Sequence, residues 1–154
     1  MSKEELDKSY FVAFCIEQYK ERHKISGKDA AELLFASGIA DYLNDNFEIL
    51  HTQSHQWLME EIDDRLNKAQ VSNIHRSEGN KIMTLDITQN NLYLLLPGKV
   101  TDLARFYAED NHCTMLEAIR YVYSTSLYEQ MSNEQTKLWN LGVVTLYDQM
   151  NQIG

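Results

Sequence analysis

Apolar residues along the chain recur mainly at helical spacing. Leu58, Ile62 and Leu66 repeat every four positions, which places them on one face of a helix. Residues 10–16 form a denser apolar run, typical of a helix with a broad buried face. Further stripes follow at residues 30–35 and 100–107. The pattern predicts a mainly α fold.

Candidate helix caps accompany these stripes. Ser26 is positioned to cap the second helix, Thr52 or Ser54 the helix that contains Leu58, and Gly38 is suited to end the second helix. Three further pairs have the spacing of a capping box, a hydroxyl residue followed three positions later by Glu or Gln: Ser2 with Glu5, Thr114 with Glu117, and Ser132 with Gln135. We expect a helix to begin at each pair.

Three stretches break the helical pattern. Residues 47–50 are expected to be extended, and residues 67–80 are polar and have the composition of a linker. Residues 85–88 alternate, Gln89-Asn90-Asn91 favours a turn, and residues 92–96 are apolar throughout, which predicts a short β-hairpin. Pro97 then ends the hairpin and permits a helix to start.

Shifting the chain against itself by 88 positions aligns its apolar residues without a gap. The shift pairs Val12 with Val100 and Ala30 with Ala118, and it pairs the caps Ser26 and Thr114. Two interpretations stay open, a duplication and a chance match of two amphipathic patterns. On the first, the chain is two similar small helical modules: an N-terminal module at 1–68, a linker with the hairpin at 69–91, and a C-terminal module at 92–154.

Charge and composition limit the classes of function that are compatible with the chain. The chain has 23 acidic and 14 basic residues, a net charge of −9, which argues against nucleic-acid binding and fits a basic protein partner. No run of 18 apolar residues and no signal-peptide pattern is present, so we predict no membrane span and a cytoplasmic protein. Cys15 and Cys113 are interpreted as free thiols in a reducing environment.

For each candidate catalytic or metal-binding residue, a structural role is the better-supported interpretation. His51 and His55 have a four-residue spacing but lack a third metal ligand, and Cys113 has only the adjacent His112 as a candidate base. The acidic residues between 60 and 64 lack the glycine of a calcium-binding loop, and no phosphate-binding glycine motif occurs. We therefore predict no catalytic, cofactor or metal site.

Two motifs resemble short bacterial families. Asp41-Tyr42-Leu43 followed by Leu50-His51-Thr52-Gln53 resembles a domain of unknown function whose genes lie beside ADP-ribosyltransferase-like genes; the resemblance covers residues 10–66 and departs at Ser54, where glycine is expected. Leu94-Leu95-Leu96-Pro97 and Thr136-Lys137-Leu138-Trp139 resemble a companion family with Leu-Leu-Pro and Thr-Lys-Leu-Trp motifs.

The resemblance implies a non-catalytic, protein-binding antitoxin or immunity-like protein that restrains an ADP-ribosyltransferase-like toxin. The alternative is a small cytoplasmic enzyme that uses His51, His55 or Cys113, and self-association into a homo-oligomer is left open. The tryptophans at the edges of apolar stripes are interpreted as half-buried interface anchors. The residues predicted to bind the partner are His51, Thr52, Gln53, Trp57, Glu61, Tyr128, Lys137 and Trp139.

Overall fold

The computed structural model describes residues 2–69 and 88–153, and within them the chain is helical without a β-strand. No helix in these two ranges is long and apolar enough to cross a bilayer. The α-helices are α1 (Lys3–His23), α2 (Gly27–Ala36), α3 (Ile39–Asp45), α4 (Phe47–Leu50), α5 (His55–Ala69), α6 (Leu96–Asn111), α7 (Met115–Ser124), α8 (Ser126–Met131) and α9 (Val143–Ile153). Short 3₁₀ turns lie at Leu92–Leu94, Glu134–Thr136 and Leu138–Asn140. The mainly α prediction is confirmed.

Four of the five predicted N-terminal caps begin a helix. The Ser2 hydroxyl accepts from the Glu5 N–H at 3.1 Å, and the Glu5 carboxylate accepts from the Ser2 N–H in return. Thr114 forms the same reciprocal pair at the start of α7. The Ser26 and Ser54 hydroxyls cap α2 and α5. Since each cap satisfies a backbone N–H that has no partner inside its helix, these local signals set the helix starts.

The predicted extended segments are different in the structure. Residues 47–50 form α4 instead of an extended segment, with Leu50 buried and Glu48 and Ile49 exposed. Residues 92–94 form a 3₁₀ turn that leads into α6, so this part of the hairpin prediction is wrong. Leu92 and Leu96 are buried whereas Leu94 is 52% exposed, a helical and not an alternating pattern. Residues 85–87 lie outside the described residues.

The cap predicted at Ser132 is also wrong. The side chain of Asn133 accepts from the Gln135 N–H and begins a 3₁₀ turn there. The Ser132 hydroxyl instead donates to the backbone oxygen of Glu129 at 2.8 Å. Gly38, by contrast, ends α2 as predicted: α2 runs to Ala36, Ser37 is its C-cap, and Gly38 follows with a left-handed φ of +86° before α3 begins. Glycine takes this conformation without steric cost.

One contiguous hydrophobic core unites both halves of the chain. Helices α1 and α6 pack against each other at its centre, α2 and α3 pack on α1, and α7 and α9 pack on α6. Helix α5 packs on α1 through the predicted stripe, since Leu58, Ile62 and Leu66 are all buried. The arrangement leaves one side of the N-terminal half of α1 open to solvent, next to α4.

Several helix ends are 88 residues apart. Helix α1 ends at His23 and α6 at Asn111, and the next residues, Lys24 and His112, have nearly equal left-handed φ values of 56° and 54°. Helices α2 and α7 start and end 88 positions apart, as do the starts of α5 and α9. Glu32 and Arg120, also 88 apart, form a bidentate ion pair with contacts of 3.0 and 3.3 Å. Residues at equal positions in the two halves thus meet at this pair.

Candidate functional site

The most aromatic candidate site is a surface groove of about 460 Å³ between α1 and the segment 47–51, here called the aromatic groove. Its lining residues are Asp7, Tyr10, Phe11, Phe14, Phe47, Glu48 and His51. Four of them are carbon-rich aromatic rings, one is an imidazole, and two are carboxylates. A mostly apolar concavity with a few polar groups at its edge is a typical binding site.

Helical spacing brings the α1 residues of the groove together. Asp7, Tyr10, Phe11 and Phe14 stand at positions i, i+3, i+4 and i+7, which is one face of a helix. Phe11 is 7% exposed and belongs to the core, whereas Tyr10 is 44% exposed. Core packing therefore holds this face in place while part of it stays available to a partner.

Ring contacts fix the opposite wall of the groove. The Phe47 ring packs edge-on to Phe11 at 5.5 Å between centroids and stacks on the His51 imidazole at 4.3 Å. His51 Nδ1 lies 2.6 Å from the Phe47 carbonyl oxygen, which can only accept, so Nδ1 carries a proton. His55 packs edge-on to Phe14 at 4.7 Å. The short helix α4 is thus anchored to α1 through aromatic rings.

The charged groups at the groove are acidic. Asp7 pairs with Lys3 at 2.9 Å on the surface, and the Lys3 side chain is 87% exposed. Within the described residues, Glu48 forms no ion pair with a lysine or arginine. Among the described residues, neither a lysine nor an arginine lines the groove. The groove therefore combines an apolar floor with a negative rim.

The residues predicted to bind a partner are divided between two regions. His51 is part of the aromatic groove, and Thr52 and Gln53 follow it in an exposed turn, where the Thr52 hydroxyl donates to the Ile49 carbonyl at 2.8 Å. Trp57 is 41% exposed, and no hydrogen bond to its indole N–H is found within the described residues. Their role as contact residues stays a prediction.

Glu61 is engaged inside the chain. Its Oε2 accepts from Arg65 Nε at 3.0 Å and from the Tyr42 hydroxyl at 3.2 Å. The Arg65 guanidinium carbon lies 3.5 Å from the centre of the Tyr42 ring. Glu61 thus orients an arginine on an aromatic face.

The remaining predicted contact residues lie in the C-terminal half. Trp139 is half-buried, and its indole N–H donates to the Glu134 carbonyl at 3.0 Å. Lys137 is exposed, forms an ion pair with the Glu134 carboxylate, and lies over the Trp139 ring. Tyr128, by contrast, is only 1% exposed and belongs to the core instead of the surface.

Tyr128 belongs to a buried polar cluster around Glu17. Glu17 Oε2 accepts from the Tyr128 and Tyr123 hydroxyls at 2.7 and 2.9 Å, and Lys20 Nζ lies 2.8 Å from Oε1. Burial raises the pKa of the Glu17 carboxyl above its usual value, although Lys20 and the two hydroxyls act in the opposite direction. Burial also raises the pKa of both tyrosines, and the Glu17 charge adds to this effect. The cluster joins α1 to α7 and α8, and so ties the two halves together.

A second pocket of about 400 Å³ opens beside Lys20 and Tyr128. Its lining includes three lysines, at positions 20, 24 and 28, and two acidic residues, Glu21 and Glu129. With the buried Glu17 behind Lys20, the positive and negative side chains are equal in number. The pocket therefore has no charge preference that would identify a ligand.

The groups considered for an enzyme are not assembled. Burial raises the pKa of the half-buried Cys113 thiol, and nearby Glu117 raises it further, which disfavours the reactive thiolate. Burial also raises the pKa of Cys15 in the core. Within residues 2–69 and 88–153, no three His, Cys, Asp or Glu side chains are placed to share a metal ion.

Comparison with known families identifies the first half of the chain. Residues 10–68 match DUF3791, described as a protein of unknown function. A DUF3791 domain of unknown function is thus found over less than half of the 154 residues. No curated protein and no solved structure matches the chain. The matched segment contains every residue of the aromatic groove except Asp7.

Sequence reasoning missed most of this groove. It assigned Tyr10, Phe11 and Phe14 to a buried face of α1 and treated residues 47–50 as extended. A signal was present: an acidic residue at position 7 followed by aromatic residues at helical spacing. Which of these rings stay exposed depends on where α4 packs, and that contact is tertiary.

Proposed function

We propose that this chain is a non-catalytic, protein-binding protein, antitoxin- or immunity-like, that restrains an ADP-ribosyltransferase-like partner through the aromatic groove. The observation that carries the proposal is the combination of partly exposed aromatic rings and an acidic rim, in a groove that lies, except for Asp7, in the segment that matches the family. Partly buried aromatic residues contribute much of the binding energy at protein interfaces.

The charge of the chain supports a basic partner surface. The net charge of −9 speeds encounter with a positive surface, and it does so less at high salt. The rim residues Asp7 and Glu48 place two of the negative charges at the groove itself. Because a transferase cleft that accepts an anionic dinucleotide is positively charged, occlusion of such a cleft is the simplest mechanism of restraint.

The enzymatic alternative has less support. The raised pKa of Cys113 disfavours a nucleophile, and Nδ1 of His51 is engaged by a backbone carbonyl. His55 packs against Phe14 as part of the aromatic contacts. The contacts of His51 and His55 favour structural roles for these two residues.

We also propose that the two halves are copies of one helical module. Ala30 and Ala118 support this, since each is the fourth residue of its helix and fully buried. The shared 88-residue spacing of helix ends gives further support. In this interpretation the modules pack as an internal pseudo-dimer, with the Glu32–Arg120 pair between equivalent positions.

Co-purification tests the function. A tagged form of the chain should co-purify with an ADP-ribosyltransferase-like protein encoded beside its gene and should lower the transferase activity of that protein. Tyr10→Ala should weaken binding by about thirtyfold, as expected for an interface anchor worth about 2 kcal/mol. The matched control is Val144→Ala, which truncates another exposed apolar side chain, 63% exposed, outside the groove.

Two results would contradict the proposal. The first is a folded wild-type chain that neither binds nor inhibits such a transferase. The second is a Tyr10→Ala protein that binds as tightly as the Val144→Ala control, which would exclude the groove as the contact surface.

A further inference from the structure

We propose that the aromatic groove binds an arginine side chain, presented by a basic segment of the protein partner. This inference rests on the proposed function for the source of the arginine. The affinity of the groove for arginine is a property of this chain alone. It can therefore be tested without the partner.

The chain already contains an arginine held in this manner. The Arg65 guanidinium lies over the Tyr42 ring at 3.5 Å from its centre, and Arg65 Nε donates to Glu61 at 3.0 Å. An aromatic face attracts the planar cation, while a carboxylate at the ring edge accepts its hydrogen bonds. An aromatic ring with an adjacent carboxylate thus holds a guanidinium at one place in this fold, where Arg65 and Glu61 are one helical turn apart.

The aromatic groove has the same two components, and no arginine among the described residues lines it. Tyr10 and Phe47 provide partly exposed ring surface, and Asp7 and Glu48 provide carboxylates. In the described part of the chain, Glu48 has no lysine or arginine partner. Among the described residues, Asp7 has one ion-pair partner, the exposed Lys3, and a surface ion pair of this kind is weak enough to be replaced.

Arginine fits these groups better than an apolar side chain or lysine does. An apolar side chain would exclude water from the rim carboxylates without giving them a hydrogen-bond donor, which is unfavourable. The ammonium of lysine is more strongly hydrated and cannot stack as a plane on Tyr10 or Phe47. The guanidinium both stacks and donates several parallel hydrogen bonds.

Nuclear magnetic resonance titration of the full chain tests the inference. The probes are three acetylated and amidated tripeptides, Gly-Arg-Gly, Gly-Lys-Gly and Gly-norleucine-Gly. We expect the arginine peptide to shift the ring resonances of Tyr10, Phe47 and His51. It should bind at least about threefold more tightly than either other peptide, because the cation–π and carboxylate contacts add to apolar contact.

Charge-removing variants identify the rim. The double variant Asp7→Asn, Glu48→Gln should lose the preference for arginine, with its fold intact. The control double variant Glu109→Gln, Asp148→Asn removes two exposed carboxylates that do not line the groove and should keep the preference. Both double variants change the net charge equally, so a difference between them reports the location of the carboxylates.

Several outcomes would overturn the inference. Equal affinity for the arginine and norleucine peptides would show a purely apolar groove, and equal affinity for arginine and lysine would remove the role of guanidinium stacking. Shifts confined to residues outside the groove, or no shifts with any peptide, would exclude the site. Failure of the transferase to bind would refute the proposed function while leaving these titrations unaffected.

Discussion

Gly27 allows a close contact between the two halves, and its replacement by alanine is a sensitive test of that contact. Gly27 is the first residue of α2 and is buried against Tyr128 of α8. A Cβ atom at this position would lie 2.2 Å from Tyr128 Cε2 and 2.4 Å from its hydroxyl oxygen. The ring cannot simply move away, because it is 1% exposed and its hydroxyl donates to Glu17 at 2.7 Å.

The expected cost of Gly27→Ala follows from these contacts. Overpacking a core typically costs about 1–3 kcal/mol. Weakening the hydrogen bond to the Glu17 carboxylate adds about 1.5 kcal/mol or more, and the better helix propensity of alanine returns at most about 1 kcal/mol. We expect a net loss of about 2 kcal/mol, or a melting temperature lower by about 4–8 °C in a domain of this size.

Gly98→Ala is the matched control for Gly27→Ala. Gly98 also lies in the first turn of a helix, α6, but the nearest atom to a new Cβ would be Tyr10 Cε2 at an ordinary 3.9 Å. This variant should be neutral or more stable by up to about 1 kcal/mol. Urea unfolding followed by circular dichroism measures both. A Gly27→Ala protein as stable as wild type would refute the close packing of α2 on Tyr128.

Three further predictions concern the tryptophans, the cysteines and the buried carboxylate. Trp57→Ala should change the free energy of unfolding by less than about 1 kcal/mol, because Trp57 is 41% exposed. Trp139→Ala should lower it by about 2 kcal/mol, because the variant loses packing and a hydrogen bond. Thermal unfolding measures both, and the reverse order of stability would contradict the structure. A thiol reagent should label Cys113 slowly in the folded protein and label Cys15 only after denaturation, and labelling of both at equal rates would show that Cys15 is not buried. Burial raises the pKa of Glu17 above its usual 4.5, so the folded protein holds this proton more tightly than the unfolded chain does. The stabilisation of the fold by this bound proton is complete below pH 4.5 and is lost as the pH rises through the raised pKa of Glu17. In urea unfolding measured across this pH range, the Glu17→Gln protein should lack this decline in stability. Equal pH profiles of stability for the wild type and the variant would exclude the raised pKa.

The helical framework could be predicted from the sequence because its signals are local. A capping box such as Ser2 with Glu5 needs only residues within one turn, and the stripe of Leu58, Ile62 and Leu66 needs only one helix. These features are confirmed. The short elements were not predictable in the same way, because too few residues carry their periodicity.

Residues 92–96 illustrate this limit. Five consecutive apolar residues fit a buried strand as well as a helical turn, and sequence periodicity alone does not separate the two. The structure selects the helical form because Leu92 and Leu96 both enter the core while Leu94 points to solvent. The same competition between local pattern and tertiary packing placed residues 47–50 in α4.

A comparison of residues 88 positions apart shows why the pattern of buried residues could not reveal the candidate site. Core residues of the first half pair with core residues of the second half: Val12 and Val100, for example, are both fully buried. Groove positions do not, and the shift pairs Tyr10 with Gly98, Phe14 with Asp102 and Phe47 with Gln135. Within the described residues the aromatic groove therefore has no counterpart at the shifted positions: α1 corresponds to α6, but the positions that correspond to α4 lie in or between two 3₁₀ turns. This difference fits the binding role proposed for the groove, because residues that served only to pack the core would keep their character under the shift, as Val12 and Val100 do.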